Sequence, residues 1–224
     1  NSAWSEGMSE YTLVIGSKNY SSWSLRGWLA LRMAEVPFEE RVITFERADR
    51  TEAINAQSPS GLVPVLYHGD LVIPDSLAIA EYIAERHGQA GLWPDDPGAR
   101  AMARSVSCEM HAGFSALRQA LPMNVRRSRP GLALSPEVGA DIRRIGEIWN
   151  ACRENYGAGG RYLFGGFTIA DAMFAPVVSR FRTYEVALEG AAQDYMAAVW
   201  EYPALREWAA AAAHEPAVES YDSA

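Results

Sequence analysis

The sequence predicts a small α/β domain followed by an all-helical domain. Up to about residue 87, short apolar runs typical of strands alternate with stretches of helical period. Beyond a connector rich in glycine and proline, helical patterns are almost all that remains. Mixed elements followed by helices alone are typical of two domains. We place the first domain at residues 8–88, the linker at 89–97 and the helical domain at 98–224.

The first domain is expected to have the order βαβ, helix, ββα. Apolar residues at helical spacing predict a helix that starts at Ser24 and ends before Pro37, because a residue before proline avoids the helical region. A second helix starts at Ser76, and Gly88 is placed to end it. A weaker helical stretch ends near the loop 58–61. The predicted strands are 11–15, 38–45, 65–67 and 71–73, the last two forming a hairpin.

The helical domain carries five amphipathic stretches. They are 99–121, 136–156, 168–184, 191–200 and 203–214. Cys108 and Cys152 fall in different stretches without the paired spacing of a metal or redox motif, so we expect two unpaired buried thiols. Without HExxH or a Cys/His cluster, we expect no metal site.

Charge and length of apolar runs exclude other classes of protein. The net charge is −8 and no long basic cluster occurs, which argues against nucleic-acid or anionic-membrane partners. No run approaches the roughly 18 apolar residues of a membrane span. We expect a soluble protein in which residues 1–7, lacking the features of a signal peptide, precede the natural start at Met8.

Two helix starts are candidate binding sites. Ser21 and Ser22 lie between the first strand and the first helix, where unpaired backbone N–H groups and the helix dipole favour an anion. Asp75 and Ser76 begin the later helix, where amides can hold a carboxylate and the Asp75 side chain can accept from an ammonium group. Each pair also suits a simple helix cap, which stays open as the alternative.

The third candidate is the segment Leu62-Val63-Pro64. A proline in a strand pattern belongs at an edge or at a strand start, because it cannot donate to the ladder. The Val63 backbone would then be free to pair with a peptide-like ligand. An ordinary strand start is the alternative.

Together these segments resemble the N-terminal, thioredoxin-like domain of the cytosolic glutathione transferases. The matching text is YSSWSLRGWLAL at 20–31, SPSGLVPVL at 58–66 and PDSLAIAEYIAER at 74–86. In the second half, FTIAD at 167–171 looks like the family's buried helix start, with Thr168 and Asp171 forming a capping box. The serine-rich motif is most similar to that of the zeta, or maleylacetoacetate isomerase, branch. The zeta motif reads SSC, and in this chain Trp23 stands in place of the cysteine.

The resemblance implies a glutathione-dependent enzyme. Ser21 or Ser22 would donate a hydrogen bond to the glutathione sulfur, and the sequence leaves the choice open. The rest of the implied glutathione site is Leu62, Val63, Pro64, Asp75 and Ser76. The implied electrophile pocket is Tyr20, Trp23, Met110, His111 and Phe114, although core packing is an equal alternative for Met110, His111 and Phe114. The family further implies a cytoplasmic homodimer.

Three functions remain in competition. The first is a glutathione S-transferase that attacks small apolar electrophiles with the glutathione thiolate. The second is a glutathione-dependent cis-trans isomerase of the maleylacetoacetate type, which requires a cationic site for a dicarboxylate. The third is a catalytically silent relative that binds other molecules, since fold alone does not secure function. Arg26, just inside a helix N-terminus, is expected to pair with a carboxylate and to be structural or a dimer contact.

Overall fold

The structure is a computed structural model that describes residues 9–223. Residues 1–7, expected to precede the natural start, lie outside the described residues, as does Met8. In the described part of the chain the strands are β1 (Tyr11–Gly16), β2 (Phe38–Ile43), β3 (Val65–His68) and β4 (Leu71–Pro74). The helices there are α1 (Ser22–Met33), α2 (Arg50–Gln57), α3 (Ser76–Arg86), α4 (Pro97–Ala112), α5 (Ser115–Ala120), α6 (Pro136–Tyr156), α7 (Ile169–Thr183), α8 (Ala191–Trp200), α9 (Pro203–Ala212) and α10 (Glu219–Asp222).

The four strands form one mixed sheet in the order β2-β1-β3-β4. β1 runs parallel to β2, and α1 makes the crossover between them, while β3 is antiparallel to both β1 and β4. Leu13 pairs with Leu66, which in turn pairs with Ile73. The predicted order βαβ, helix, ββα and the all-helical second half are confirmed.

Helix α1 connects the sheet to the helical half. It packs against α3 on one side and against α7 on the other. Leu25 and Leu29 are fully buried, and α7 is buried throughout except at Arg182. One apolar core therefore continues through both halves, and the N-terminal end of α1 lies where they meet.

The stretch predicted as one helix over 99–121 is divided into α4 and α5. Gly113 is extended at φ −108° and ψ −167°, and Phe114 is left-handed at φ 58°. A Cβ on Gly113 would lie 2.8 Å from the Glu109 carbonyl oxygen, so this close approach needs glycine. The break separates α5 from the line of α4.

Two further features differ from the sequence expectation. The short helix α10 follows the last predicted helix, and its four residues are too few to give a periodic pattern. Cys108 is exposed rather than buried, because it lies on the outer face of α4, whereas Cys152 is buried as expected. Among residues 9–223, none of the helices is both long and apolar enough to cross a bilayer.

Candidate functional site

The start of α1 places two serines at the junction of the halves. Ser21 is the extended N-cap residue, and its hydroxyl donates to Ser24 Oγ at 2.7 Å. Ser24 Oγ also accepts from the Gly16 backbone N–H at 3.0 Å, which fixes the end of β1 to the first turn of α1. Ser21 and Ser22 are both buried. The first-turn amides of α1 lack acceptors within the helix, so this end carries partial positive charge.

Ser22 differs from Ser21 in its partner and in its surroundings. Its Oγ accepts a hydrogen bond from Arg180 Nη2 at 3.3 Å, which leaves its own hydrogen free to donate. Ser22 also lines a cavity of about 260 Å³, whereas Ser21 does not. The structure thus favours Ser22 as the hydroxyl that a ligand can reach.

A second cavity of about 410 Å³ adjoins the first and shares Trp23 with it. Its lining joins all three segments singled out in the sequence: Trp23, Ser60, Leu62, Val63, Pro64, Pro74, Asp75, Ser76 and His111. The Val63–Pro64 peptide bond is cis, and β3 begins only at Val65, so Val63 lies outside the strand pairing. Leu62 is exposed at the rim.

Asp75 and Ser76 form the polar end of this second cavity. Asp75 has φ 78°, and its Oδ1 accepts from the backbone N–H groups of Leu77 and Ala78. Its Oδ2 is 2.8 Å from His111 Nε2, which joins α4 to the start of α3. Ser76 is 2% exposed, and its hydroxyl has no hydrogen-bond partner among the described residues. Buried hydroxyls are nearly always paired, so this one is available to a ligand.

Trp23 lines both cavities and lies next to three cationic or polar side chains. Its ring centroid is 4.3 Å from Arg26 Cζ and 5.4 Å from Arg118 Cζ. The His111 ring contacts it edge-on at 5.2 Å. Trp23, which stands where the zeta motif has its cysteine, therefore lies between the two cavities.

Arg26, Arg118 and Arg180 were missed as a group by sequence reasoning. The expected carboxylate partner of Arg26 is absent among residues 9–223: its Nε donates to the Met173 carbonyl oxygen at 2.8 Å instead. Burial, with the nearby charges of Arg180 and Arg118, holds the pKa of Arg26 well below its usual range. Burial, with Arg118, also lowers the pKa of Arg180 to about 10. The available signal was a charged residue at 180 on an otherwise apolar helix face.

Three residues expected in the electrophile pocket line neither cavity. Tyr20 is buried, and its hydroxyl donates to Asp222 and accepts from the Val218 N–H, so the C-terminal segment covers it. Met110 on the inner face of α4 and Phe114 at the break before α5 are both part of the buried apolar core. Of the five expected pocket residues, the cavities include Trp23 and His111. In residues 9–223, no cluster of His, Cys, Asp and Glu is placed to bind a metal ion.

Family models match both halves of the chain. The model described as glutathione S-transferase, N-terminal domain, matches residues 20–86, and the C-terminal domain model of the same name matches residues 109–211. Maleylpyruvate isomerase from Ralstonia sp is 30% identical over 195 residues, which cover 76% of this chain and 85% of that protein. Probable maleylacetoacetate isomerase from Caenorhabditis elegans is 33% identical over 110 residues, 49% of this chain, so the match spans only about half (51%) of that relative.

Solved structures agree on the fold. A glutathione transferase homolog from Burkholderia gl BGR1, with bound glutathione, superposes with a TM-score of 0.68. The match covers 92% of this chain and 99% of that one at 20% identity. The expected architecture, a thioredoxin-like domain followed by a helical domain, is confirmed.

Proposed function

Because the chain belongs to the glutathione S-transferase family, we propose that it is a glutathione transferase that activates the glutathione thiol for attack on small electrophiles. One observation carries the proposal. The 410 Å³ cavity combines an unpartnered buried hydroxyl at Ser76, the Asp75 carboxylate and the strand-free Val63 beside the N-terminal end of α1. These are the groups that a γ-glutamyl tripeptide requires.

The tripeptide is held from both ends of this cavity in our proposal. The hydroxyl and the backbone N–H of Ser76 bind the α-carboxylate of the γ-glutamyl unit, and Asp75 binds its ammonium group. The backbone of Val63 pairs with the cysteinyl unit, with Pro64 and Leu62 shaping the loop. His111 shares the Asp75 carboxylate, so the ammonium group competes with it.

The chemical task is to form a thiolate at neutral pH. A free thiol has a pKa of about 8.5, and a helix N-terminus or a nearby positive charge lowers it. Ser22 donates to the sulfur while Arg180 donates to Ser22, so the guanidinium charge polarises the hydroxyl. With the dipole of α1, these groups lower the thiol pKa by about one to two units, at about 1.4 kcal/mol per unit. Ser21 supports this arrangement through Ser24, and Ser22 is our choice for the donor.

A panel of aryl halides, epoxides and isothiocyanates with glutathione tests the proposal. We expect turnover above the background reaction of the free thiol. Ser22→Ala should lower kcat/KM roughly ten- to hundredfold, since a hydrogen bond to a charged group contributes about 1.5 to 3 kcal/mol. Ser21→Ala should lower it less, and Ser105→Ala, on the exposed face of α4, is the matched control. Wild-type rates equal to background would overturn the proposal, and no calorimetric glutathione binding at millimolar concentration would favour the silent alternative.

An isomerase is the second candidate, because two of the relatives above are named as isomerases. In that reaction the thiolate adds to the carbon–carbon double bond, the resulting carbon–carbon single bond rotates, and elimination releases the thiolate and restores the alkene. Acceleration of maleylacetone isomerisation with glutathione distinguishes it from the transferase. If maleylacetone isomerisation is not accelerated and the electrophile panel is turned over, the isomerase is contradicted and the transferase is supported.

We also propose the assembly and location that the family suggests. The chain forms a homodimer and acts in the cytoplasm. Light scattering of the purified protein at micromolar concentration tests the first, and cell fractionation tests the second. A monomer, or activity in the membrane fraction, would contradict them.

A further inference from the structure

Three arginines from three helices converge beside Trp23. We call Arg26 of α1, Arg118 of α5 and Arg180 of α7 the arginine cluster. Arg26 and Arg180 are 1% and 4% exposed, and Arg118 is half-buried. Arg26 and Arg118 both lie within 5.5 Å of the Trp23 ring centroid. The cluster therefore brings three guanidinium groups to the end of α1 that carries Ser22.

The positive charge of the cluster is not balanced by the chain. Within residues 9–223, none of the three arginines forms an ion pair with a carboxylate. Arg118 Nε and Arg180 Nη1 are buried without a hydrogen-bond partner there, as are both Nη atoms of Arg26. Buried charges are normally paired, because an unpaired one loses its hydration without compensation. A site with several unsatisfied donors and no carboxylate is suited to an anion.

The cluster divides into a structural member and two members that face a cavity. Arg26 donates to the Met173 carbonyl oxygen, stacks on Trp23 and lines neither cavity. Arg180 is anchored by Nε to the Leu121 carbonyl oxygen, and it lines the 260 Å³ cavity together with Arg118. The anchoring holds the Arg180 guanidinium in place before any ligand arrives, which limits the loss of side-chain entropy on binding.

The cavity composition shows which reactant would occupy it. Its lining contains no acidic residue: Ser22, Trp23, Ser115, Arg118, Gln119 and Arg180. It shares only Trp23 with the cavity that carries Val63, Asp75 and Ser76. It also adjoins the hydroxyl that we assign to the sulfur. A ligand here would be the second substrate, with its reactive carbon near the thiolate.

We propose that the second substrate carries a carboxylate group, which Arg118 and Arg180 bind in the 260 Å³ cavity. This inference rests on the proposed function and narrows the expected apolar electrophile to an anionic one. The planar guanidinium fork matches the two oxygens of a carboxylate and distinguishes it from a neutral group of equal size. Arg118 at the half-exposed edge would capture the anion, and Arg180 would fix it.

A pair of benzyl halides isolates the carboxylate. The probes are 4-(bromomethyl)benzoate and its methyl ester. The acid carries a negative charge remote from the reacting carbon, and the ester is neutral. The glutathione thiolate forms a C–S bond as the C–Br bond breaks, bromide leaves with the electron pair, and the thiol proton goes to solvent. We define the selectivity as the ratio of kcat/KM for the acid to that for the ester, each corrected for the uncatalysed reaction.

We expect the wild type to prefer the acid and Arg118→Gln to lower the selectivity at least tenfold. Arg118→Lys should keep part of it, because a point charge remains without the fork. Arg161→Gln removes the same charge from a surface ion pair with Glu201 and should leave the selectivity unchanged. An unchanged selectivity in Arg118→Gln would overturn the inference, while turnover of the ester would still support the transferase.

Binding without turnover provides a separate readout. Trp23 lines the cavity, so 4-methylbenzoate should quench tryptophan fluorescence more strongly than 4-methylbenzyl alcohol at the same concentration. Arg118→Gln should abolish that difference. If Arg118→Gln still shows the difference in quenching, the proposed anion site is excluded, even if neither bromide reacts. If Arg118→Gln loses the difference and neither bromide reacts with the wild type, the anion site is supported and the transferase activity is contradicted.

Discussion

Burial and hydrogen bonding have opposite effects on the pKa of the Asp171 carboxyl group at the start of α7. Asp171 is completely buried. Its Oδ2 accepts from the Thr168 N–H at 2.8 Å, and its Oδ1 accepts from the Tyr195 hydroxyl at 2.9 Å and the Leu163 N–H at 3.2 Å. These bonds favour the charged form, and desolvation opposes it. Desolvation is the larger effect and raises the pKa of Asp171 from 3.8 to about 6.

This raised pKa makes stability depend on pH. Asp171 stays protonated to a higher pH in the folded chain than in the unfolded one, so ionising it disfavours folding. The cost is absent well below pH 3.8, where both states hold the proton, grows as the unfolded state ionises, and is nearly complete once the pH exceeds about 6. At about 1.4 kcal/mol per pKa unit, it reaches about 3 kcal/mol.

Asp171→Asn isolates this effect, because the amide does not titrate. We expect the wild type's advantage over Asp171→Asn in free energy of unfolding to shrink by roughly 2 kcal/mol from pH 4 to pH 7. Urea unfolding of both proteins across this range measures it, and the titrations of all other groups cancel in the difference. An advantage that is constant or grows with pH would refute the reasoning, since the hydrogen bonds would then dominate. Should Asp171→Asn not fold, NMR titration of the Asp171 carboxyl in the wild type gives the same answer.

Three further predictions concern other parts of the chain. Cys108 is exposed, whereas burial raises the pKa of Cys152 to about 11, so a thiol reagent at pH 8 should label one cysteine in the folded protein and two in denaturant. Gly160→Ala should lower the free energy of unfolding by about 2 kcal/mol or more, seen in urea unfolding, because the new Cβ would overlap a backbone carbonyl. His111→Ala should tighten glutathione binding up to about fivefold by calorimetry, because it frees Asp75 Oδ2 from a partly exposed hydrogen bond that contributes about 1 kcal/mol. Two reactive thiols in the folded protein would contradict the first prediction. An unchanged free energy of unfolding in Gly160→Ala would contradict the second, and weaker glutathione binding by His111→Ala would contradict the third.

The fold was accessible from the sequence because its elements carry local signals. Pro64 marked the start of β3, and the apolar spacing from Leu25 onward marked α1. The capping box of Thr168 and Asp171 is present as predicted. The break between α4 and α5 was missed, because a single Gly113 inside a helical pattern is often tolerated and only the contact with Glu109 makes it decisive here.

The site was only partly accessible, because side-chain partners far apart in the chain decide it. The cavity at Val63, Asp75 and Ser76 joins segments whose order already indicated a ligand site. The position of Arg180 beside Ser22 brings together residues 158 positions apart, and no local pattern encodes it. Tyr20 illustrates the opposite error: its place in the motif suggested a pocket residue, yet the C-terminal segment covers it.

The thiol pKa of bound glutathione tests the proposed activation most directly. Ultraviolet absorbance of the thiolate, titrated against pH with saturating protein, measures it in the wild type, Ser22→Ala and Ser21→Ala. We predict a pKa about one to two units below the free value of about 8.5 in the wild type. Most of this lowering should be lost in Ser22→Ala and retained in Ser21→Ala. A bound thiol that titrates like free glutathione in the wild type, or a lowered pKa that survives in Ser22→Ala, would contradict the assignment of Ser22.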